Sequence, residues 1–459
     1  MANTYLTWTP STTPTGSAKT WTYSVWVKMA QENPGYFFAA GSGTQSKFIF
    51  GAYGGGDIDI LTYEGYVINA NTARLFRDTN AWYHVVLACD TTQAVPANGI
   101  KLYINGVQET LTLSSVGSEN GYTQNTSLRI GTSGEAINIG RDINDSGHWK
   151  GCMSHINFVD GQQLTPSTFG ETDSTTGEWK IKTSITPGGT GWGTNGFFIL
   201  KDGNSVTDQS GRGNNFTVAN GTLTKTEDSP SNVFATLNAL QKLGNSNTSL
   251  TYGNTRYYTT SSAWGNITST LGFSSGKFYV EGKIMTLNSS TGYGSMGIID
   301  STRATQTTGN ESFTATGNTA GIVFDYRSGQ SNFYSGGNTV SSNIGDFSNN
   351  DIIGMAIDMD NKALYIHKAG TYYQVGGVTG VPTSGASKTG AITIPAGVET
   401  CMIAMGSYTS AADFCYNFGN GYFLSTAVSS AGTNASGIGI FEYDVPTGYT
   451  ALSTKGLNL

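Results

Sequence analysis

Two segments of the sequence share one plan: a strand, an acidic turn, a second strand and a glycine. In the clearer copy, residues 351–370, two apolar runs flank the turn Asp-Met-Asp-Asn and end at Gly370. In the earlier copy, residues 82–90 precede a turn-rich loop, and residues 100–106 complete the pair. Apolar runs paired around a turn in this way are typical of antiparallel hairpins.

The second strand of each hairpin alternates apolar and polar residues. Ile100, Leu102 and Ile104 share one face, and so do Leu364 and Ile366. Each hairpin can therefore cover a core on that face. We expect two related all-β sandwiches in series.

Length and composition agree with this architecture. The chain has 459 residues, of which 12% are charged and 12% aromatic, and it contains 62 glycines. Many turns and few charges favour an all-β protein, and the aromatic content argues against disorder. We predict a first domain at residues 1–227, a linker at 228–249, a second domain at 250–446 and a C-terminal segment at 447–459.

Apolar runs bounded by turn residues place the strands more closely. Strands of the first domain are predicted at residues 22–29, 48–53, 82–90, 100–105, 128–130, 153–158 and 196–200. Strands of the second domain are predicted at residues 277–285, 294–299, 319–325, 352–358, 363–367, 400–405 and 414–418. The best helical candidate is residues 232–243, where Val233, Leu237 and Leu240 fall near helical spacing.

Charge and hydropathy exclude two classes of partner. The net charge is −7 and the pI is about 5.1, so a phosphate backbone would meet no basic patch and we predict no nucleic-acid binding. The apolar runs fall short of the roughly 20 residues that a membrane span needs. The first residues show no secretory signal, which fits a protein assembled in a host cytoplasm and released by lysis.

The four cysteines are Cys89, Cys152, Cys401 and Cys415. Each stands in apolar, strand-like sequence, where cysteine is a common buried residue. A reducing cytoplasm keeps such residues as thiols. We therefore predict four thiols and no disulfide.

Catalytic patterns are incomplete in this sequence. A retaining glycosidase needs two carboxyl groups roughly 5 Å apart, but Asp57 and Asp59 lack a third acid in register, and Glu442 and Asp444 lead into Val-Pro. The histidines accompany no serine nucleophile elbow. We predict that the protein is not an enzyme.

One loop has the composition of a metal site. Asp142, Asn144 and Asp145 bring three oxygen-bearing side chains together in a tight loop, and calcium prefers such ligands. Turns rich in Asp and Asn also form for backbone reasons alone. The sequence leaves both interpretations open: no cofactor, or calcium at these three residues.

Two ordered sets of motifs resemble known families. Residues 275–281 (Ser-Gly-Lys-Phe-Tyr-Val-Glu), followed by the hairpin at 351–370, resemble the SPRY domain. Segments 23–28, 82–86, 101–106, 139–140 and 150–154 resemble, in that order, the laminin-G-like domain. Both families are concanavalin A-like, so the resemblance implies two tandem jelly-roll β-sandwiches. The tandem order is similar to virion proteins of tailed bacteriophages, especially marine ones, in which the motif at 441–449 also recurs.

The resemblance implies a function in attachment. It predicts a non-enzymatic protein on the virion surface that adheres to host glycans or receptors, with other virion proteins and further copies of itself as partners. The alternatives are a structural protein that cements the particle and a hydrolase of surface polysaccharide. SPRY domains bind with loops at one end, which points here to Tyr326, Tyr334, Tyr372 and Tyr373 as ligand-binding residues. Tyr372 and Tyr373 fit equally well as a lid over the edge of the core.

Overall fold

Two units make up the structure, residues 1–225 and residues 226–459. Each unit is a β-sandwich, as the duplicated hairpin predicts. The computed structural model describes residues 3–31, 33–43, 46–52, 57–62, 68–113, 115–116, 119–120, 122–182, 184–201, 203, 205–244, 248–259, 263–286, 293–303, 312–315, 317–325, 330–342, 344–408 and 413–458.

The first unit contains eighteen strands among its described residues. They are β1 (Tyr5–Trp8), β2 (Thr20–Met29), β3 (Gly35–Gly43), β4 (Ser46–Ala52), β5 (Asp59–Thr62), β6 (Asn69–Thr72), β7 (Trp82–Asp90), β8 (Ile100–Ile104), β9 (Val107–Gln108), β10 (Leu111–Leu113), β11 (Ser115–Val116), β12 (Glu119–Asn120), β13 (Ala136–Ile139), β14 (Gly151–Asp160), β15 (Gly170–Thr172), β16 (Trp179–Ile181), β17 (Phe197–Ile199) and β18 (Thr217–Ala219). One sheet has the order β10-β6-β5-β4-β3-β13-β1-β18 and the other β17-β14-β2-β7-β8-β9. Short helices span Pro96–Gly99 and Pro166–Thr168.

The predicted hairpin of the first unit lies in its six-stranded sheet. β7 pairs with β8, with Val85 opposite Ile104 and Leu87 opposite Leu102. The alternation seen in the sequence has the expected result, since Ile100, Leu102 and Ile104 are at most 3% exposed and join the core between the two sheets.

The second unit contains twenty described strands. They are β19 (Leu237–Gly244), β20 (Thr248–Thr251), β21 (Arg256–Thr259), β22 (Trp264–Phe273), β23 (Lys277–Thr286), β24 (Tyr293–Asp300), β25 (Thr319–Asp325), β26 (Asn332–Ser335), β27 (Asn338–Ser341), β28 (Ile352–Asp358), β29 (Ala363–Lys368), β30 (Thr371–Tyr372), β31 (Gln374–Val375), β32 (Val378–Thr379), β33 (Ile392–Thr393), β34 (Cys401–Tyr408), β35 (Asp413–Asn417), β36 (Tyr422–Phe423), β37 (Thr426–Ala427) and β38 (Thr450–Ala451). A seven-stranded sheet, β19-β22-β34-β24-β25-β26-β27, faces one with the path β20-β21-β35-β23-β28-β29-β30. Short helices span Phe313–Ala315, Pro382–Ser387 and Gly456–Asn458.

The hairpin of the second unit is buried on both faces. β28 pairs with β29 from Ile353 opposite Lys368 to Asp358 opposite Ala363. Leu364 on β29 faces the core between the sheets, while Tyr365 faces a second apolar cluster on the outside. A sheet covered on both faces needs apolar residues at successive positions and not only at alternate ones.

The outer cluster is formed by the C-terminal part of the chain. Phe441, Val445 and Tyr449 are at most 5% exposed and pack over Tyr279 and Tyr365 on the outer face of the sheet. β38 then pairs in parallel with β23. The motif at 441–449 therefore belongs to the fold.

Both ends of the second unit differ from the predicted division of the chain. Residues 228–249, predicted as a linker, include β19, which pairs with β22 through Lys242 opposite Ile267. Residues 447–459, predicted as a separate segment, include β38. Such pairing joins residues distant in sequence, so local patterns do not reveal it.

Two predictions of local structure are wrong. Residues 232–243 form no helix, because Leu237 begins β19; Leu237 is buried but Leu240 is 58% exposed beside a register shift. Residues 128–130 form no strand, because Arg129 has a left-handed φ of 60°, which breaks an extended run. Leu128 and Ile130 nevertheless reach the core.

The prediction of four thiols is confirmed. Cys89, Cys401 and Cys415 are buried, Cys152 is partly buried, and none of the four forms a disulfide. Within the described residues, no helix combines the length and apolar character that crossing a membrane would require.

The pairing of β19 and β38 makes a test of domain limits possible. A fragment of residues 226–459 should unfold cooperatively in urea. A fragment of residues 250–446 should lack a cooperative transition, because it loses both strands and Tyr449 of the outer cluster. Equal stability of the two fragments would contradict this structure.

Candidate functional site

A groove lies on the second unit at the edges of its two sheets. Its volume is about 390 Å³, within the size range of small-ligand sites. The residues lining it come from β27, from the turn that follows it and from β30 to β32: Ser341, Ser342, Ile344, Tyr372, Tyr373, Gln374 and Gly377. Residues with aromatic, amide and hydroxyl side chains thus line one space.

Tyr372 and Tyr373 point to opposite sides of the strand. The ring of Tyr372 meets that of His367 edge to face, with centroids 5.0 Å apart. The ring of Tyr373 packs against Phe333 and Phe347 at 5.7 and 5.8 Å. Each tyrosine therefore covers a different apolar cluster, and the two do not form one exposed aromatic face.

The hydroxyls of these tyrosines are held in their neutral form. Burial raises the pKa of Tyr372 above its usual range, and the charge of Glu281 adds to this effect. Burial also raises the pKa of Tyr373 to about 12, with a further contribution from Asp351. The Tyr372 Oη atom has no hydrogen-bond partner among the described residues.

The other two predicted tyrosines lie elsewhere. Tyr326 falls outside the described residues. Tyr334 is half-buried on β26, opposite Thr339 and Gly321, and it does not line the described groove. The ligand-binding role of the four tyrosines stays a prediction.

Sequence reasoning missed the polar wall of the groove. Ser341, Ser342 and Gln374 are exposed or partly exposed, and no motif singles them out. Residues 328–345 carry no charge. Exposed sheet edges commonly carry charged side chains, so this uncharged segment could have indicated a binding surface. β27 is the last strand of its sheet.

A buried carboxylate lies under the C-terminal cluster. Glu281 on β23 is fully buried and accepts hydrogen bonds from the backbone N–H groups of Glu442 at 2.9 Å and Tyr443 at 2.8 Å. The Asn417 amide and the Tyr279 hydroxyl donate to the same carboxylate at 3.2 and 3.1 Å. Burial raises its pKa to about 7, although these four donors lower it.

His367 completes this network as a neutral imidazole. Its Nδ1 accepts from the Gly370 N–H at 3.1 Å, so Nε2 carries the proton and donates to Tyr279 Oη at 2.7 Å. Burial lowers the pKa of His367 to about 4. The Tyr and Glu of the motif at 275–281 thus fasten the C-terminal segment to the sheet.

The first unit contains a similar buried histidine. His84 Nδ1 accepts from Trp179 Nε1 at 2.9 Å, so Nε2 donates to Ser24 Oγ at 2.8 Å. Burial lowers the pKa of His84 to about 3. A histidine that donates to the serine cannot also take its proton, so this pair is structural.

Three of the four candidate glycosidase carboxylates accept hydrogen bonds from other segments of the chain. Asp57 accepts from the Asn71 amide at 2.9 Å, and the side chain of Asp59 is outside the described residues. Glu442 accepts from the Ser429 backbone and hydroxyl, and Asp444 from Thr433. These contacts give the carboxylates local structural roles.

The candidate calcium loop is closed by its own hydrogen bonds. The Asp142 carboxylate accepts from the Ile143 N–H at 2.6 Å and the Ser146 hydroxyl at 3.3 Å. Asp145 is 65% exposed and pairs with Arg141 at 2.6 Å. A guanidinium on one proposed ligand does not suit a cation, and no cluster of three acidic, histidine or cysteine side chains suited to a metal occurs in the described part of the chain. The residues therefore do not fit calcium.

Comparisons with known proteins support the fold of the first unit. Residues 1–168 match the family model of laminin-G type described as the concanavalin A-like lectin/glucanases superfamily. The match agrees with the β-sandwich fold of this stretch. No curated protein matches the sequence.

Several solved structures resemble parts of this chain, and one of them is a SPRY domain. The chain resembles the SPRY domain of human HERC1 at 13% identity and a TM-score of 0.29, over 39% of this chain and 96% of that one. It resembles the carbohydrate-binding module CBM66 from Bacillus subtilis at 10% identity and a TM-score of 0.25, over 38% of this chain and 88% of that one. It resembles a heptameric SAP-like pentraxin from Limulus polyphemus at 14% identity and a TM-score of 0.26, over 36% of this chain and 72% of that one. Likenesses this remote say nothing about a ligand.

The raised pKa of Glu281 predicts a pH dependence of stability. Between pH 4.5 and about 7 the folded state holds a proton that the unfolded state has lost, so stability falls as pH rises through this window. The shift corresponds to about 3 kcal/mol. In fragment 226–459, urea unfolding of the Glu281→Gln variant should lack this fall.

The histidine contributes in the opposite direction. Its lowered pKa makes stability rise with pH from about 4 to 6.5. The wild-type fragment and the Glu281→Gln variant share this rise, so it cancels when the variant's curve of unfolding free energy against pH is subtracted from that of wild type. The exposed Glu399→Gln substitution is the matched control. A flat difference curve for Glu281→Gln would show that the carboxylate is not the titrating group.

Proposed function

We propose that this chain is a non-enzymatic protein of a tailed-bacteriophage virion that attaches to host surface glycans. It would be made in the host cytoplasm and displayed on the virion surface, with other virion proteins and further copies of itself as partners. The observation that carries the proposal is the groove on the second unit, lined by Tyr372, Tyr373, Gln374 and Ser341.

The groove has the chemistry that sugars require. Amide and hydroxyl groups on the groove rim can exchange hydrogen bonds with sugar hydroxyls, and the parts of Tyr372 and Tyr373 that stay exposed offer apolar surface beside them. A volume of about 390 Å³ suits a short glycan segment. The rings are held firmly, because both pack on apolar clusters, so ordering them costs little on binding.

Two rival functions follow from the same fold. A cementing protein would use its surface to hold neighbouring virion proteins. A polysaccharide hydrolase would need a carboxylate pair, and Asp57, Glu442 and Asp444 instead accept hydrogen bonds from neighbouring segments of the chain. The groove favours binding over both.

Polar residues on the groove rim test the proposal without disturbing the core. A Gln374→Ala/Ser342→Ala variant should bind host cells or their purified glycans roughly tenfold more weakly, because two hydrogen-bonding side chains are lost. Both residues are exposed, so the fold should remain intact. Binding is measured with fluorescent protein on cells and with immobilised glycans.

Controls separate the rivals. Gln108→Ala, an exposed glutamine of the first unit, should bind normally. If wild-type protein releases reducing sugars and Asp57→Asn abolishes the release, the protein is a hydrolase. If the rim variant binds cells normally but assembles poorly into particles, the protein is a cementing subunit.

A further inference from the structure

The loop between β13 and β14 in the first unit surrounds one exposed carboxylate with two largely buried nitrogen-bearing side chains. Arg141 Nη1 lies 2.6 Å from Asp145 Oδ1, and His148 Nε2 lies 3.2 Å from the same oxygen. The side chains of Arg141 and His148 are each 15% exposed, whereas that of Asp145 is 65% exposed. The acid thus caps the pair from the solvent side.

Arg141 is held in place by contacts that do not involve Asp145. Its guanidinium lies over the ring of Tyr5, 3.5 Å from the centroid, which orients the planar group by a cation–π contact. The loop itself is closed by the Asp142 N–H to Ser146 carbonyl bond and the Trp149 N–H to Gly140 carbonyl bond, at 2.9 and 2.8 Å. The loop can therefore keep its shape when the Asp145 side chain turns away.

The pair has more hydrogen-bonding capacity than Asp145 uses. Arg141 Nε and both ring nitrogens of His148 are buried and make no hydrogen bond among the described residues, so the 3.2 Å approach of His148 Nε2 to Asp145 is a close contact only. Buried nitrogen atoms usually have a hydrogen-bond partner, since a buried donor without a hydrogen bond is costly in free energy. If Asp145 turns away, Arg141 Nη1 becomes available to donate to a ligand carboxylate.

We propose that Arg141 and His148 form a binding site for the carboxylate of an acidic sugar, and that the Asp145 carboxylate occupies this site in the free protein. The choice of a sugar rests on the glycan-binding function proposed above. This proposal is an alternative to calcium for the same loop, since the Arg141 guanidinium that lies here attracts an anion. A ligand carboxylate would displace that of Asp145 and take over its contact with Arg141.

The proposal makes an unusual prediction about Asp145. Removing its charge should strengthen ligand binding, because the internal competitor is weakened. Asp145→Asn should bind glucuronate roughly two- to fivefold more tightly than wild type, which is the range that an exposed ion pair supplies. Arg141→Gln should bind glucuronate at least roughly tenfold more weakly than wild type, because the positive charge that attracts the carboxylate is gone.

The measurement is a saturation-transfer NMR titration of the full chain with glucuronate, with glucose as the neutral control and acetate as the bare carboxylate. Asp173→Asn, which removes another paired aspartate of the same unit, should leave glucuronate binding unchanged. Circular dichroism checks each fold, and Arg141→Lys, which keeps the charge but loses the planar fork, serves if Arg141→Gln does not fold.

Three outcomes would overturn the proposal. Asp145→Asn could bind glucuronate no better than wild type, or acetate could bind as well as glucuronate, which would remove the role of the sugar. Calcium could raise the melting temperature of wild type but not of Asp145→Asn, which would make the loop a cation site. Failure here with normal glycan binding at the second-unit groove would leave the proposed function standing.

Discussion

The second unit depends on one buried carboxylate. Glu281 accepts two backbone N–H groups from the segment at 441–449 and so fixes that segment on the outer face of the sheet. Without an acceptor there, these two partly buried backbone donors would lose their hydrogen bonds, which is costly. Because the segment covers Tyr365 and the partly buried Tyr372, the same carboxylate also supports one wall of the groove.

This arrangement explains why the second sheet carries apolar residues on both faces. In the first unit, β8 alternates buried and half-buried residues, but its partner β7 is buried at eight successive positions, because Val86 packs with Val159 and Phe169 in a cluster outside the main core. In the second unit, five successive residues of β29 are buried, since the C-terminal cluster covers the face that would otherwise meet water. The two hairpins share a plan but differ in what covers them.

Local pattern predicted most of the central strands but not the edges of the sheets. The hairpin at 351–370 is local, so its alternation and turn sufficed. β19 and β38 are held by strands far away in sequence, which local patterns cannot show. Alternation places Tyr372 and Tyr373 on opposite sides, but the cover over Tyr372 comes from residues near 441. A pattern of oxygen-bearing side chains in this loop does not show that the nitrogen atoms of Arg141 and His148 lie close to Asp145.

The central claim is that the chain presents its second-unit groove to a host surface. It is tested most directly by electron cryomicroscopy of phage particles purified from cells that produce the chain. The account predicts density for both sandwiches at the particle surface, with Gln374 and Ser342 open to solvent. Density that buries these two residues against other virion proteins would contradict attachment through the groove, and absence of the chain from purified particles would contradict the virion role itself.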